Sequence, residues 1–456
     1  MRIALFAYLV KQDIIQYKHF LAPEAEMHLE HPDKTPCLVF ANSRGEIKDF
    51  PELLMAGQSG RRYFRPALYD LIPLPPGSDL FVLPDRNPIG IDPASGEPVM
   101  PTESPDDPKE GIQAVAAFMS PANTAIHTAA FEKRNPAADH LPLFAYTAVG
   151  WYDGKFWVCG FRSDPDIRQD SSGFHPDRIR KKTLKMLKLH KGNRLIQHLG
   201  KCCLTYGCPA AKNYFLGRWE APLPTSPACN ANCIGCISFQ PSGCCPSTQD
   251  RIKFKPSVSE IAGVAVPHLL NAPNPVVSFG QGCEGEPLLQ AESIEKAIRL
   301  IRKKTDQGTI NLNTNASLPE AVERLARAGL DSIRVSLNSA RKQFYKQYYR
   351  PGGYEFNDVL ESISVMKRHA KFVSLNYFIM PGFTDVPEEA DAFAGLVDRY
   401  RPDLIQLRNL NIDPDWYFDE MKPVSKKEPL GIHNWLNQLK NRFPYLKFGY
   451  FNPCLR

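Results

Sequence analysis

From residue 220 onward, short apolar runs alternate with stretches of helical period. Residues 221–223, 276–279, 310–313, 333–337, 373–379 and 404–407 read as strands. Between them, Ile294, Ala297, Ile298 and Ile301 fall at i, i+3, i+4 and i+7, and Val359, Leu360, Ile363 and Met366 repeat the pattern. Ser257 with Glu260 and Ser317 with Glu320 have the spacing of capping boxes, the second with Pro319 at an early helical position. Gly329 is placed to end the helix that starts near Leu318. Six strands separated by helices imply parallel βαβ units with right-handed crossovers, in an open sheet or a barrel. Either way, ligands collect at the C-terminal ends of the strands.

The chain before this point has another character. Residues 1–177 read as a β-rich region with irregular connections. Its clearest element is a hairpin, two aromatic and β-branched runs joined by Asp153-Gly154. Residues 80–83 read as a further extended run, and residues 92–110, rich in Pro, Asp, Glu and Ser, as an exposed loop. The apolar start, residues 3–10, turns polar without a small-residue cleavage site and reads as a buried element and not a signal peptide. Residues 178–217 form a connector. Its first part, residues 178–201, holds nine Lys or Arg and no Asp or Glu, and Leu184, Leu187 and Leu195 suggest an apolar stripe broken at Gly192. The domains expected are therefore 1–177, 178–217, 218–419 and a tail, 420–456.

Composition narrows the class. Hydrophobic residues are 43% and charged residues 23% of 456, a normal globular balance. The net charge of +6 permits an anionic partner without demanding one. No apolar run approaches the roughly 18–20 residues of a membrane helix, so the expected location is the cytoplasm. There, nine of twelve cysteines between residues 202 and 283 point to metal or redox chemistry and not to disulfides.

The densest signal is Cys229-Asn-Ala-Asn-Cys233-Ile-Gly-Cys236, in the long loop after the first strand of the α/β run. Three local thiolates suit an iron–sulfur cluster or zinc. A structural zinc wants a fourth ligand, whereas three cysteines leave one iron of a cubane open. C-x₃-C-x₂-C at this place resembles the radical SAM superfamily, over about residues 220–411. The resemblance implies a partial (β/α)₆ barrel preceded by the β-rich region. It also implies a [4Fe–4S] cluster on Cys229, Cys233 and Cys236, with S-adenosylmethionine as second cofactor. The aromatic residue common before the third cysteine is here Gly235, and Phe239 is the candidate to replace it.

Other segments are similar to the superfamily's SAM-binding elements. Gly280-Gln-Gly-Cys-Glu-Gly-Glu-Pro287 looks like its G-G-E-P loop, lengthened, and so implicates Glu284, Gly285 and Glu286. Asn311-Leu-Asn-Thr-Asn315 resembles the strand end T-N-G, with Ala316 for the glycine. Asn313 and Asn315 are expected on one face, as are Ser336 and Asn338 after the fourth strand. Residues 379–385 are similar to a segment near the adenine. Arg408 reads as a partner for a carboxylate or phosphate, or as a structural arginine. The resemblance implies an enzyme that cleaves SAM to a 5′-deoxyadenosyl radical, supplied with electrons by an external flavodoxin- or ferredoxin-like donor. Cys202, Cys203, Cys208, Cys244, Cys245 and Cys283 leave a second Fe–S cluster open, and the basic stretch leaves RNA open as a less favoured partner. The alternative function is a redox-sensing Fe–S or zinc protein that binds nucleic acid.

Overall fold

The computed structural model describes residues 33–240, 243, 245–425 and 427–456. The expectations for residues 3–10 and for Cys244 lie outside them.

The C-terminal part is one seven-stranded, wholly parallel sheet in sequence order. Its strands are β1 (Glu220–Pro222), β2 (Val276–Phe279), β3 (Thr309–Thr314), β4 (Ser332–Leu337), β5 (Phe372–Ile379), β6 (Leu404–Asn409) and β7 (Lys447–Gly449). The first six are the expected ones. The seventh, with the helix Ile432–Arg442 before it, comes from residues 420–456, which therefore extend the barrel.

Alternation along these strands separates two surfaces. Ala221, Val277, Phe279, Ile310, Leu312, Ile333, Val335, Leu337, Val373, Leu375, Tyr377, Ile405 and Leu407 join the apolar core shared with the helices. The opposite face carries Glu220, Ser278, Asn311, Asn313, Arg334, Ser336, Asn376, Gln406 and Arg408. The sheet curls around this polar face. One residue, Asn452, donates to Glu220 Oε1 of β1 at 2.8 Å and accepts from Gln406 Nε2 of β6 at 2.9 Å. In a flat sheet those strands would stand about 24 Å apart, five spacings of about 4.8 Å.

The helical expectations hold with two exceptions. Ser257 and Glu260 make both bonds of a capping box, and Gly329 ends its helix in the left-handed region. Ser317 does not cap: its hydroxyl accepts from Asn230 of the cysteine loop, and the helix begins at Pro319. The basic stretch forms α1 (Pro176–Leu189) and α2 (Arg194–Leu204), broken at Gly192 as expected and capped by Asn193. Leu195 is buried, but Leu184 is 47% exposed, so Ile179 and Thr183 form the buried side of α1 instead.

Strands between residues 37 and 162 pair antiparallel throughout. The hairpin pairs Tyr152 with Lys155, and Asp153 and Gly154 both take positive φ. This region docks on β6 and the loops after β5 and β6. Strand Asn123–Ala125 runs beside β6 where β7 has ended: Thr124 Oγ1 donates to the Leu407 carbonyl, and Ala125 N–H to Asn409 Oδ1. In the segment 379–385, Asp385 accepts from the N–H groups of Gly382 and Gly431, and Gly382 sits so close to Gly60 that a Cβ would lie 1.9 Å from its nitrogen. That loop is a docking point for the N-terminal region.

The deepest contact between the two parts is Arg86 with Asp413, 3.0 Å apart with side chains 2% and 0% exposed. Removing one partner of such a pair leaves a buried charge alone. Asp413→Ala is expected to destabilise the protein by about 3–5 kcal/mol in urea unfolding. Glu428→Ala, which breaks an exposed pair with Arg62, is expected to leave the curve unchanged.

Candidate active site at the mouth of the barrel

The loop after β1 is laced to its neighbours by backbone bonds. Asn232 and Ile234 N–H groups donate to the Tyr349 and Tyr348 carbonyls, and Gly352 N–H to the Asn230 carbonyl. Gly285 and Glu286 N–H groups donate to Ser226 and Ala228. No side chain fits at Gly285, where a Cβ would lie 2.0 Å from the Ala228 carbonyl oxygen. Cys229, Cys233 and Cys236 are thus held on a loop tied down on both sides.

All three residues are half-buried. Burial, and next the Glu286 charge, pushes Cys229 up to about 11. Burial, with the charges of Cys236 and Cys229, raises Cys233 well above the ordinary thiol range. Arg251 supplies a cation, its Nη2 3.4 Å from Cys236 Sγ. Buried thiols that repel one another as thiolates, with one guanidinium beside them, fit a cationic iron–sulfur group that displaces their protons. Gly235 has a reason to be glycine: a Cβ would lie 2.6 Å from the Tyr348 hydroxyl. The aromatic ring against this loop is therefore Tyr348. Phe239 does not take the role; it is 52% exposed, with Arg251 over its face.

Both glutamates of the lengthened loop are occupied. Glu284 Oε2 accepts from Thr225 N–H, Thr225 Oγ1 and Ser226 N–H, and Oε1 accepts from Gly280 and Gln281 N–H. Glu286 accepts from Thr314 Oγ1, Leu288 N–H and Asn315 N–H. Burial raises both to about 7 against these donors. They are ties between loops.

Two of the four polar residues at the strand ends point elsewhere than expected. β3 ends at Thr314, so Asn315 leaves the face of Asn313; its amide donates to Asn230 Oδ1 at 2.8 Å. β4 ends at Leu337, and Asn338 donates to the Phe344 carbonyl and lies 3.3 Å from the Tyr417 hydroxyl. Both are buried supports. Asn313 and Ser336 do face the interior, Ser336 with only Asn376 Nδ2 at 3.5 Å among the described residues.

The interior holds groups that the sequence reading passed over. Arg334 of β4 shares the face of Ser336 and lies near Arg408; Glu220 is the acid that favours its charge. Burial, with Arg408 next, pushes the Arg334 guanidinium down to about 9, still cationic at neutral pH. Arg408 is in no ion pair among the described residues and lies 3.7 Å over the Tyr450 ring. Asn313 Nδ2, Arg334 Nε, Asn376 Oδ1 and Arg408 Nε are buried without a hydrogen-bond partner. Unsatisfied buried polar atoms cost free energy, so four on one inner wall call for water or a polar ligand as partner.

The fold and site define a parallel half-barrel with a thiolate centre at its mouth and a polar, cation-bearing interior. Residues 223–394 match the Radical SAM superfamily, so the chain carries a radical SAM domain. It is 32% identical over 213 residues to GTP 3′,8-cyclase of Clostridium botulinum, covering 44% of this chain and 61% of that protein. It is 26% identical over 177 residues to the FeMo cofactor biosynthesis protein NifB of Klebsiella pneumoniae, covering 36% of this chain and 37% of that one. The chain thus spans about a third to three-fifths of these relatives' lengths. Among solved structures, a radical SAM methyltransferase from Sphaerobacter thermophilus is 16% identical, covering 50% of this chain and 63% of that one, at a TM-score of 0.35. No helix among the described residues is long and apolar enough to cross a membrane.

Glu284→Gln is expected to place its amide NH2 against two or three of the five donors, whichever way it turns. Stability should fall by about 1–3 kcal/mol, read by thermal unfolding of the metal-free chain.

Proposed function

We propose that this chain is a radical SAM enzyme acting on a substrate with an anionic group. Cys229, Cys233 and Cys236 hold a [4Fe–4S] cluster, and Asn313 and Ser336 contact S-adenosylmethionine from the inner wall. The observation that carries this reading is the conjunction of three half-buried cysteines on one tied-down loop with unsatisfied polar atoms on the inner wall of the barrel. When bound, the reduced cluster supplies reductive cleavage of SAM to methionine and a 5′-deoxyadenosyl radical, which abstracts hydrogen from the substrate. Electrons come from an external flavodoxin- or ferredoxin-like donor.

The protein's own task is to orient and enclose. Gly285, without a side chain, lets its loop pack directly on the backbone of Ala228 and Cys229 and so fixes the start of the cysteine loop. Arg251 offsets the negative charge of three thiolates at Cys236. Arg334 and Arg408 form a cationic pair without a carboxylate clamp, which suits a substrate carboxylate or phosphate held within the barrel. The N-terminal region, docked beside β6, limits access of water to the mouth.

Anaerobic reconstitution should give about four irons at this site, and dithionite should release 5′-deoxyadenosine from SAM. The variant with alanine at Cys229, Cys233 and Cys236 should lose both; retained SAM cleavage would end the proposal. Asn313→Ala and Ser336→Ala should each weaken SAM binding by about 1–3 kcal/mol, read by equilibrium dialysis on reconstituted protein. Unchanged affinity in both would remove them from the SAM site.

A further inference from the structure

The lengthened glycine-rich loop carries Cys283, a buried residue 81 positions beyond Cys202 that nonetheless meets it. The sulfurs of Cys202 and Cys283 and a ring nitrogen of His198 all lie within 4.8 Å of one another. Among the described residues this is the compact group of metal-ligating side chains, and it is separate from the cysteine triplet. His198 and Cys202 stand four residues apart on α2, so they share a helix face. His198 Nε2 is 3.6 Å from Cys202 Sγ. Tetrahedral zinc, with Zn–N of about 2.0–2.1 Å and Zn–S of about 2.3 Å, separates its nitrogen and sulfur ligands by about 3.6 Å.

We propose that His198, Cys202 and Cys283 bind one zinc ion, with Cys208 as fourth ligand. Cys208 lies beside the group, its N–H donating to the Cys202 carbonyl at 3.1 Å. Cys203 is not a ligand, because its sulfur is turned to Thr183 Oγ1 at 3.5 Å. A [4Fe–4S] cluster suits this place less well. It takes four ligands spread around a cube, whereas a mixed imidazole–thiolate group this compact matches a single ion.

The ion would have a structural effect at the mouth of the barrel. α2 lies against the helix Val258–Asn271 and carries the end of the basic stretch, whose two cations there pair with acids, Arg194 with Glu260 and Lys201 with Asp250. Cys283 is adjacent to Glu284, which ties the loop after β1 to the loop after β2. Zinc at this point joins the connector covalently to the loop whose backbone faces the cysteine triplet. The additional length of that loop is then accounted for by the need to reach α2.

The test is metal analysis of the full chain purified under reductant without added iron. Wild type and the Cys229, Cys233, Cys236 triple-alanine variant should both contain about one zinc per chain. That result keeps this site independent of the radical SAM reading, since the triple variant removes the other centre. His198→Ala and Cys202→Ala/Cys283→Ala should lose the zinc, and Cys208→Ala should release it to a chelator at least about tenfold more readily. Cobalt(II) exchanged into the unmodified chain should show the visible absorption of a tetrahedral thiolate site, a readout that does not depend on the variants folding. Absence of zinc and of that cobalt spectrum, or a Cys202–Cys283 disulfide in the isolated protein, would overturn the proposal.

Discussion

A curled parallel sheet with a polar inner face must satisfy that face from inside, because no water-facing side exists to do it. In this protein the requirement falls on Asn452. Its amide donates to Glu220, with Asn313 and Ser278 further off at 3.3 and 3.4 Å, and its carbonyl oxygen accepts from Gln406. Those partners belong to strands at both sides of the half-barrel. The residue is delivered by a chain end fixed at its own backbone: Arg168 donates to the Asn452 carbonyl, and Asp164 accepts from Tyr450 and Phe451 N–H. The N-terminal part therefore holds the C-terminal segment in place, and that segment holds the barrel closed. Arg334 and Arg408, on the same inner face, are in no ion pair among the described residues, and each keeps a buried Nε without a hydrogen-bond partner.

The same economy governs the mouth. The donors exposed by the turns after β1, β2 and β3 converge on two carboxylates, Glu284 and Glu286, instead of on solvent. Each buried carboxylate is stabilised by several N–H groups, and each N–H group is spared an unpaired burial. Glu284, with five donors, is committed to this role. Glycine at 285 is what lets this loop pack against the backbone of Ala228 and Cys229.

Much of this was legible in local pattern. The six strands, the helix stripes and the Asp153-Gly154 turn follow from periods of 2 and 3.6 and from positive-φ residues. The cysteine spacing marks the mouth, and strand alternation places Asn313 and Ser336 inside. Alternation also places Arg334 on the face of Ser336, a signal the sequence carried. It fails at Asn315 and Asn338 because the strands end one residue earlier, and Ala316, with φ of +57°, already turns the chain. Tyr348 behind Gly235, Asn452 across the barrel and Cys283 beside Cys202 leave no local trace, since each depends on a contact between segments 81 or more residues apart.

Glycine at 235 shows why such contacts decide the chemistry. An aromatic residue at that position would bring its own ring to the cysteine loop from within the loop. Here the ring comes from Tyr348 on the helix Lys342–Tyr349, whose last carbonyls also receive the N–H groups of Asn232 and Ile234. The same helix end thus sets the loop's path and supplies its aromatic wall. Moving the helix would move Cys233 with it, whereas a ring carried by the loop could turn independently. The arrangement exchanges local adaptability for rigidity, so the three cysteines keep a fixed place relative to the barrel.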